Sequence, residues 1–173
     1  MIESPKRKPN RLIGYDYSRN GAYFITICAK DREELFSSIV GAAPDTRLRL
    51  TEIGDIIELA ITEIPAIYKG VIVDNHVIMP NHIHAIIIND GWRGHGWQTH
   101  GHGWQTRGRQ VAAPTTMSRV VGHLKRIVSM RVGFSPWQKS FHDHIIRGET
   151  DYLRIAEYID NNPARWREDC FYK

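Results

Sequence analysis

The hydrophobic positions of this chain follow two periods, one typical of strands and one typical of helices. Four runs rich in apolar and β-branched residues predict strands, at Ala22 to Ala29, Gly70 to Ile78, His82 to Ile88 and Ser140 to Arg147. Steps of three and four residues between apolar positions predict three helices, from Thr51 to Tyr68, from Thr115 or Thr116 to about Arg131, and from Glu149 to Asn161. Thr51 is a suitable N-cap for the first helix, and Pro163 ends the last one.

The predicted elements follow one another in the order β-α-β-β-α-β-α. The first six form the split βαβ, ferredoxin-like arrangement, an α+β fold whose antiparallel sheet carries two helices on one face. The last helix is additional and is expected to cover part of the other face. Met79, Pro80 and Asn81 are expected to form the turn of a hairpin, and Lys30 to Leu50 a connection.

A length of 173 residues suits one domain over 1–173. Residues 1–20 form a predicted basic arm, and residues 89–114 a predicted flexible insertion that nearly repeats GHGWQTH at a seven-residue step. Three histidines of this insertion are not expected to hold a catalytic geometry, because a flexible loop does not fix side chains: His95, His100 and His102.

Net charge and cysteine content indicate which partners and which cellular compartment suit this protein. The net charge of +4 permits a polyanionic partner without requiring one. Cys28 and Cys170 stand far apart and indicate no disulfide framework, so we expect a reducing, cytoplasmic location. No apolar run approaches the roughly 20 residues of a membrane helix, and the N-terminal residues lack an apolar signal core.

One residue separates His82 from His84 on a predicted strand. Both rings should therefore face the same side, while Ile83 faces the core. Two imidazoles at this spacing can bind one metal ion. His142 and His144 have the same spacing on another predicted strand, and position alone does not choose between the pairs. Either pair can also be surface or hydrogen-bonded histidines.

The last predicted helix carries a tyrosine and an amide at the edge of its apolar stripe. Tyr158 and Asn162 are four residues apart and line one ridge. The Tyr158 hydroxyl can reach a polar site on the sheet, and the Asn162 amide oxygen is a hard metal ligand. Tyr152 lies on a different face of the helix. A tyrosine at a helix edge more often packs its ring and leaves its hydroxyl in water.

Four stretches carry a family resemblance through their content and order. They are RLIGYDY with GAYFITIC (11–17 and 21–28), VIMPNHIHAIII (77–88), WQKSFHDHIIR (137–147) and EYIDNNP (157–163). In this order they resemble the single-tyrosine HUH transposases, in particular the REP-associated tyrosine transposases of bacteria. HUH denotes two histidines that flank a bulky hydrophobic residue. The insertion at 89–114 is not a feature of that resemblance.

The resemblance implies a role for each matched residue. His82 and His84 would be metal ligands, Asn162 the third, amide-bearing ligand, and Tyr158 the nucleophile. The resemblance implies that the metal-binding pair is His82 and His84 and not His142 and His144. The ion implied by the resemblance is magnesium or manganese. Histidine ligands favour manganese over magnesium.

The substrate implied by the resemblance is single-stranded DNA beside a hairpin formed by a palindromic repeat. It would be cleaved through a 5′-phosphotyrosine by a monomer or a homodimer in the bacterial cytoplasm, at the nucleoid. Basic and aromatic side chains are the candidate DNA contacts: Lys6, Arg7, Lys8, Arg11, Arg119, Lys125, Arg126, Trp137 and Arg147.

Two other functions are compatible with the same fold. A non-catalytic nucleic-acid-binding module would use its sheet face, but His82 to Ile88 lacks the alternating aromatic residues of an RNA-recognition sheet. A metal-dependent nuclease that activates water would have no use for Tyr158. Replacing that tyrosine by phenylalanine separates such a nuclease from a tyrosine transferase.

Overall fold

The described part of the chain contains six strands and three α-helices. The structure, a computed structural model, describes residues 20–41, 46–89 and 117–172. The arm with Lys6, Arg7, Lys8 and Arg11, and all but the first residue of the predicted insertion, lie outside the described residues. In chain order the elements are β1 (Gly21–Cys28), β2 (Ser37–Val40), β3 (Arg47–Leu50), α1 (Glu52–Ile67), β4 (Val71–Ile78), β5 (His82–Asn89), α2 (Met117–Val132), β6 (His142–Ile146) and α3 (Glu149–Asn161).

The main sheet has the strand order β4-β5-β1-β6, and all neighbouring strands are antiparallel. Strand β5 lies in its interior because it pairs with β1 on one side and β4 on the other. This is the strand order of the split βαβ arrangement, so the predicted ferredoxin-like α+β fold is confirmed. Helix α3 has the predicted bounds, and the other predicted strands and helices agree within a few residues.

Alternation along β1 and β5 sends side chains to two separate hydrophobic clusters, one on each face of the sheet. Ile83, Ala85 and Ile87 of β5 enter the cluster that contains the buried residues of α1 and α2. Ile86 and Ile88 enter the second cluster, which contains Ile155 and Ile159 of α3. The additional helix thus covers the face opposite α1 and α2, as predicted, and the histidines of β5 lie under it.

The prediction of a plain connection over Lys30 to Leu50 is wrong. This stretch contains a short 3-10 turn and the two-stranded ribbon of β2 and β3. Ile39 and Leu48 pack against the α3 cluster, while Arg47 and Arg49 face outward. Each ribbon strand has four residues, too short for periodicity to identify it in a polar sequence, and packing against the sheet supports it.

Helix α1 begins against the end of the ribbon, where only a glycine fits. The Thr51 hydroxyl accepts a hydrogen bond from the Gly54 amide at 3.1 Å and caps the helix. A Cβ added at Gly54 would lie 2.1 Å from the carbonyl oxygen of Phe36. That oxygen already accepts a hydrogen bond from the Thr51 amide at 3.0 Å, so moving it would disrupt this bond at the capping residue.

Gly54→Ala is therefore expected to lower the free energy of unfolding by about 3 kcal/mol, since backbone must move to admit the methyl group. Denaturant unfolding measures the change. Gly122→Ala in α2 is the matched control: no heavy atom lies within 4 Å of its added Cβ. It should raise stability by about 0.5–1 kcal/mol through helix propensity. Equal effects of the two substitutions would contradict the described approach of α1 to Phe36.

Candidate active site

The two histidines of β5 lie side by side beneath α3. His82 and His84 are 0% and 1% exposed, and their ring centroids are 4.4 Å apart. Across the sheet they pair with Cys28 and Thr26 of β1. Burial of two polar rings among aliphatic side chains is unfavourable unless each ring nitrogen has a partner, so the partners define the site.

Asn81 sets the tautomer of His82. The Asn81 amide nitrogen donates to the carbonyl oxygens of Phe171 at 2.9 Å and Arg32 at 3.4 Å, which leaves Oδ1 as the acceptor. This Oδ1 lies 2.9 Å from Nδ1 of His82, which must therefore carry the proton. Nε2 of His82 is consequently a bare acceptor, and it is buried without a hydrogen-bond partner.

His84 connects β1 to the tyrosine of α3. Its Nδ1 lies 2.9 Å from the Thr26 hydroxyl, and its Nε2 lies 3.2 Å from Oη of Tyr158. The Tyr158 hydroxyl donates to Oδ2 of Asp169 at 2.9 Å. Since a phenol has one proton, that proton is directed at the carboxylate, and the lone pairs of the phenol oxygen remain available to another group.

Asn162 provides a second unsatisfied acceptor. It is the C-cap of α3 and is 2% exposed. Its amide nitrogen donates to Oδ2 of Asp169 at 2.7 Å, whereas its Oδ1 is buried without a partner. The structure thus brings Tyr158 and Asn162 to the histidine pair, as their spacing of four residues on the helix allows.

The donor set fits a divalent metal ion. Ligand atoms of His82, His84 and Asp169 all lie within 4.8 Å of one another. Unsatisfied buried acceptors are rare in folded proteins, and here Nε2 of His82 and Oδ1 of Asn162 both belong to residues with metal-binding chemistry. Imidazoles with oxygen donors suit a first-row ion such as manganese, while magnesium favours oxygen alone.

Sequence reasoning missed Asp169. It lies in the tail after the short 3-10 turn Trp166–Glu168, and no spacing relates it to Tyr158 in the way that a helix relates Asn162. Three donors reach its carboxylate: the Tyr158 hydroxyl, the Asn162 amide and the backbone N–H of Phe171, the last at 2.7 Å. Burial acts to raise the pKa of Asp169, but these hydrogen bonds outweigh it and hold the pKa below its ordinary value.

Aromatic rings enclose the histidines. The Phe171 ring lies 4.5 Å and the Trp166 ring 5.8 Å from the His82 ring, and Phe24 lies 5.0 Å from His84. Next to them is a cavity of about 810 Å³ with a mixed polar and apolar lining. Its lining residues include Thr26, His84, His144, Arg154, Tyr158, Asn162, Arg165 and Asp169.

Burial controls protonation in this enclosure. Burial lowers the pKa of His82 to about 4, although the carboxylate of Asp169 acts in the opposite direction. Burial and the neighbouring His82 lower the pKa of His84 well below its ordinary value. Both rings are thus neutral at physiological pH, the form that binds metal. Burial, and then the bond to Asp169, raises the pKa of Tyr158, so the phenol retains its proton without metal.

The metal-free protein is expected to lose stability in acid. A histidine with a pKa lowered by folding contributes stability that is complete above its unfolded value of 6.5 and lost as the pH falls toward 4. The loss for His82 is up to about 3 kcal/mol. Denaturant unfolding with a chelator present, between pH 7 and pH 4.5, measures it. Hydrogen bonds hold the pKa of Asp169 below its ordinary value, so Asp169 keeps its charge in this window. A flat profile would contradict neutral burial of the pair.

The two histidines of the second pair line different cavities. His142 lines a separate cavity beside Trp137, and His144 lines the cavity that contains Tyr158. The other tyrosine of α3, Tyr152, donates to the carboxylate of Asp74 on β4. It is therefore held away from the histidines, as the difference in helix face predicts.

Most of the described candidate DNA contacts lie away from the histidines. Helix α2, which carries Arg119, Lys125 and Arg126, packs on the opposite face of the sheet. Nζ of Lys125 donates to the carbonyl oxygens of Gln138 and Ser140 at 2.7 and 2.8 Å, and burial lowers its pKa to about 8. Trp137 is buried against Phe36 and donates to the carbonyl of Lys125, whereas Arg147 follows β6 at the surface.

Within the described residues, no helix is both long and apolar enough to cross a membrane.

Comparison with known proteins adds to this geometry. No protein-family model matches the chain. Over 172 residues it is 35% identical to an uncharacterized protein of Haemophilus influenzae, and the match covers 96% of this chain and 93% of that protein. The structure of this chain is similar to that of a REP-associated tyrosine transposase bound to a REP hairpin. The TM-score is 0.60 at 19% identity, over 90% of this chain and 74% of the other.

Proposed function

The chain belongs to the same protein family as the Haemophilus influenzae protein and has the fold of a REP-associated tyrosine transposase, and from this we propose that it is a metal-dependent tyrosine endonuclease and strand transferase acting on single-stranded DNA. One observation carries the proposal. The Tyr158 hydroxyl lies 3.2 Å from Nε2 of His84, beside the unsatisfied acceptors of His82 and Asn162. This arrangement supports a nucleophile that acts beside a metal ion at the edge of one cavity.

His82, His84 and Asn162 would hold a divalent ion, either manganese or magnesium. When bound, such an ion withdraws charge from the non-bridging oxygens of a phosphodiester and makes its phosphorus easier to attack. Oδ1 of Asn81 accepts a hydrogen bond from Nδ1 of His82, and the Thr26 hydroxyl is hydrogen-bonded to Nδ1 of His84, so both rings are held in a fixed orientation. Asp169 lies within reach as a further, anionic ligand.

Tyr158 would be the nucleophile. Its oxygen attacks the phosphorus, its proton passes to the carboxylate of Asp169 that already accepts it, and the bond from phosphorus to the 3′-oxygen breaks. The products are a 5′-phosphotyrosine and a strand that ends in a 3′-hydroxyl, the polarity implied by the family resemblance. Attack by a 3′-hydroxyl on the phosphotyrosine reverses the step and joins strands, because the covalent bond conserves the energy of the cleaved one.

The substrate is proposed to be a single strand beside a DNA hairpin, since paired bases would keep the phosphate from a site this enclosed. The structurally similar transposase is bound to a REP hairpin. Arg154 and Arg165 line the cavity and provide positive charge for the strand. The arm residues Lys6, Arg7, Lys8 and Arg11, with Arg147 and the α2 face, are proposed to contact more distant phosphates. Trp137 is buried against Phe36, so its proposed contribution is to hold α2 in place through its bond to the Lys125 carbonyl.

A metal-dependent nuclease that activates water is the second candidate. Asp169 favours it, because two histidines and a carboxylate form a ligand set that supports metal-activated water. In that case Tyr158 would only orient the carboxylate. The two candidates differ in whether the protein becomes covalently attached to DNA.

The test is a gel assay with an end-labelled hairpin oligonucleotide, the full-length protein and manganese. We expect a protein–DNA adduct that survives denaturing detergent, and peptide mapping should place the nucleotide on Tyr158. The adduct should not form when a chelator replaces manganese. Cleavage without an adduct would favour the water-activating nuclease. Neither cleavage nor adduct, with the hairpin bound, would favour a binding module.

A further inference from the structure

His144 has no role in the proposed metal site, yet it opens into the same cavity as the nucleophile. It lies on β6 opposite Phe24 of β1, whose ring contacts both His84 and Tyr158, with centroids 5.0 and 6.1 Å away. Both His144 and Tyr158 line the cavity of about 810 Å³. Apart from the metal-site histidine His84, His144 is the only imidazole among the described residues of its lining.

The ring of His144 is held by a carboxylate of α3. Its Nε2 lies 2.8 Å from Oδ2 of Asp151, and a carboxylate only accepts, so Nε2 carries a proton. The other oxygen, Oδ1, accepts from the Arg154 guanidinium at 2.8 Å, and Oδ2 also accepts the Arg147 amide at 3.4 Å. In the neutral ring Nδ1 is therefore the acceptor, and in the charged ring it is a second donor.

Asp151 remains ionised while it holds this ring. The hydrogen bond from Arg154, and next that from His144, lower the pKa of Asp151 to about 2. A carboxylate that binds one nitrogen of an imidazole and leaves the other free for the substrate is the arrangement that enzymes use to prepare a histidine for proton transfer. The side chain of His144 is half exposed, so a substrate can reach it.

The proposed reaction needs such a group. When the phosphorus–oxygen bond breaks, its electron pair moves onto the 3′-oxygen, which must gain a proton to become a hydroxyl. The proton of Tyr158 is already directed at Asp169, next to the attacking oxygen. Attacking and leaving oxygens lie on opposite sides of the phosphorus in an in-line displacement, so Asp169 is not placed to protonate the leaving oxygen and a second group is needed there.

We propose that His144, oriented by Asp151, gives its Nδ1 proton to the leaving 3′-oxygen during cleavage and takes it back from the 3′-hydroxyl during strand joining. This assignment rests on the proposed function. Protonated His144 loses one proton to the 3′-oxygen and becomes neutral, while Nε2 keeps its proton on Asp151. In joining, neutral His144 removes the hydroxyl proton as the oxygen attacks the phosphotyrosine. Asp169 returns its proton to the departing Tyr158 oxygen, so every atom and charge is restored.

A substrate with sulfur in place of the 3′-bridging oxygen tests the assignment. A thiol ionises near pH 8.5, far below an alcohol, so a sulfur leaving group needs no proton. His144→Ala should slow single-turnover cleavage of the ordinary oligonucleotide by about 10²–10⁴-fold, the usual contribution of a positioned acid. On the sulfur substrate the slowing should shrink to less than about tenfold. Asp151→Ala should also slow cleavage of the ordinary oligonucleotide more than cleavage of the sulfur substrate, but by a smaller factor than His144→Ala.

His142→Ala is the matched control, because His142 lies on the same strand but lines the other cavity. It should cleave both substrates at the wild-type rate, and thermal unfolding should show that each variant is folded. Equal slowing of His144→Ala on both substrates would overturn the assignment and reduce the pair to a structural contact. Wild-type speed on the ordinary substrate would overturn it as well. A wild-type protein that cleaves neither substrate would overturn the proposed function itself.

Discussion

Replacing Tyr158 by phenylalanine is expected to abolish the protein–DNA adduct and to slow cleavage at least about 10⁴-fold, while hairpin binding stays within about twofold of wild type. The substitution removes the oxygen that is proposed to attack the phosphorus and keeps the ring. That ring packs edge-on against Phe24 and lies 5.2 Å from the His84 ring, so these contacts persist. Asp169 keeps its bonds from Asn162 and the Phe171 amide, so the cavity wall should remain in place.

Tyr152→Phe is the control for this experiment. It removes a hydroxyl from the same helix, but that hydroxyl binds Asp74 on β4 and not the histidine site. Its expected effect is a loss of about 1 kcal/mol of stability with wild-type adduct formation. Labelled-hairpin gels give the adduct and cleavage rates, and anisotropy gives the binding. If Tyr158→Phe still cleaves at more than a tenth of the wild-type rate, the covalent mechanism fails and water is the nucleophile.

The second large effect is expected from the metal ligands. His84→Ala should weaken manganese binding by at least about 100-fold, because it removes a ligand outright, whereas loss of a supporting residue typically weakens binding 10–100-fold. Titration calorimetry measures the affinity directly, without any DNA. Manganese should also raise the melting temperature of the wild type and leave that of His84→Ala nearly unchanged, since a ligand stabilises only the state that binds it.

Two further substitutions provide an intermediate case and a control for the measurement of manganese affinity. Thr26→Val preserves the shape of the side chain but removes the partner of Nδ1 of His84, so manganese affinity should fall by 10–100-fold, an intermediate effect. His142→Ala should leave affinity unchanged. If His84→Ala binds manganese as tightly as wild type, the ion does not occupy the site between the two histidines, whatever the activity of that variant.

The sequence predicted those features that depend on local periodicity. A step of two residues on a strand places His82 and His84 on one face, and the same alternation sends Ile83 to the other cluster. A step of four on a helix places Tyr158 above Asn162. Each inference needs only the geometry of one regular element, and the structure brings the two elements together as the ferredoxin-like order allows.

The periodicity of helices and strands does not predict contacts that involve irregular segments. Asp169 approaches the site because the chain turns back after Pro163 and through the short 3-10 turn at Trp166–Glu168. The bond of His144 to Asp151 joins the middle of a strand to the first turn of the next helix, across a glycine at position 148. In both cases the path of the chain between elements fixes the distance, and no repeat in the sequence encodes that path.

In this structure Tyr158 contacts a histidine of its own chain. Helix α3 follows β6 after only Arg147 and Gly148, and its residues Ile155 and Ile159 are buried against the sheet that carries the histidines. To place Tyr158 in a neighbouring copy, the two-residue connection between β6 and α3 would have to open so that the whole helix could be exchanged. A mixture of Tyr158→Phe and His84→Ala protomers should therefore show no complementation, since neither species can supply what the other has lost.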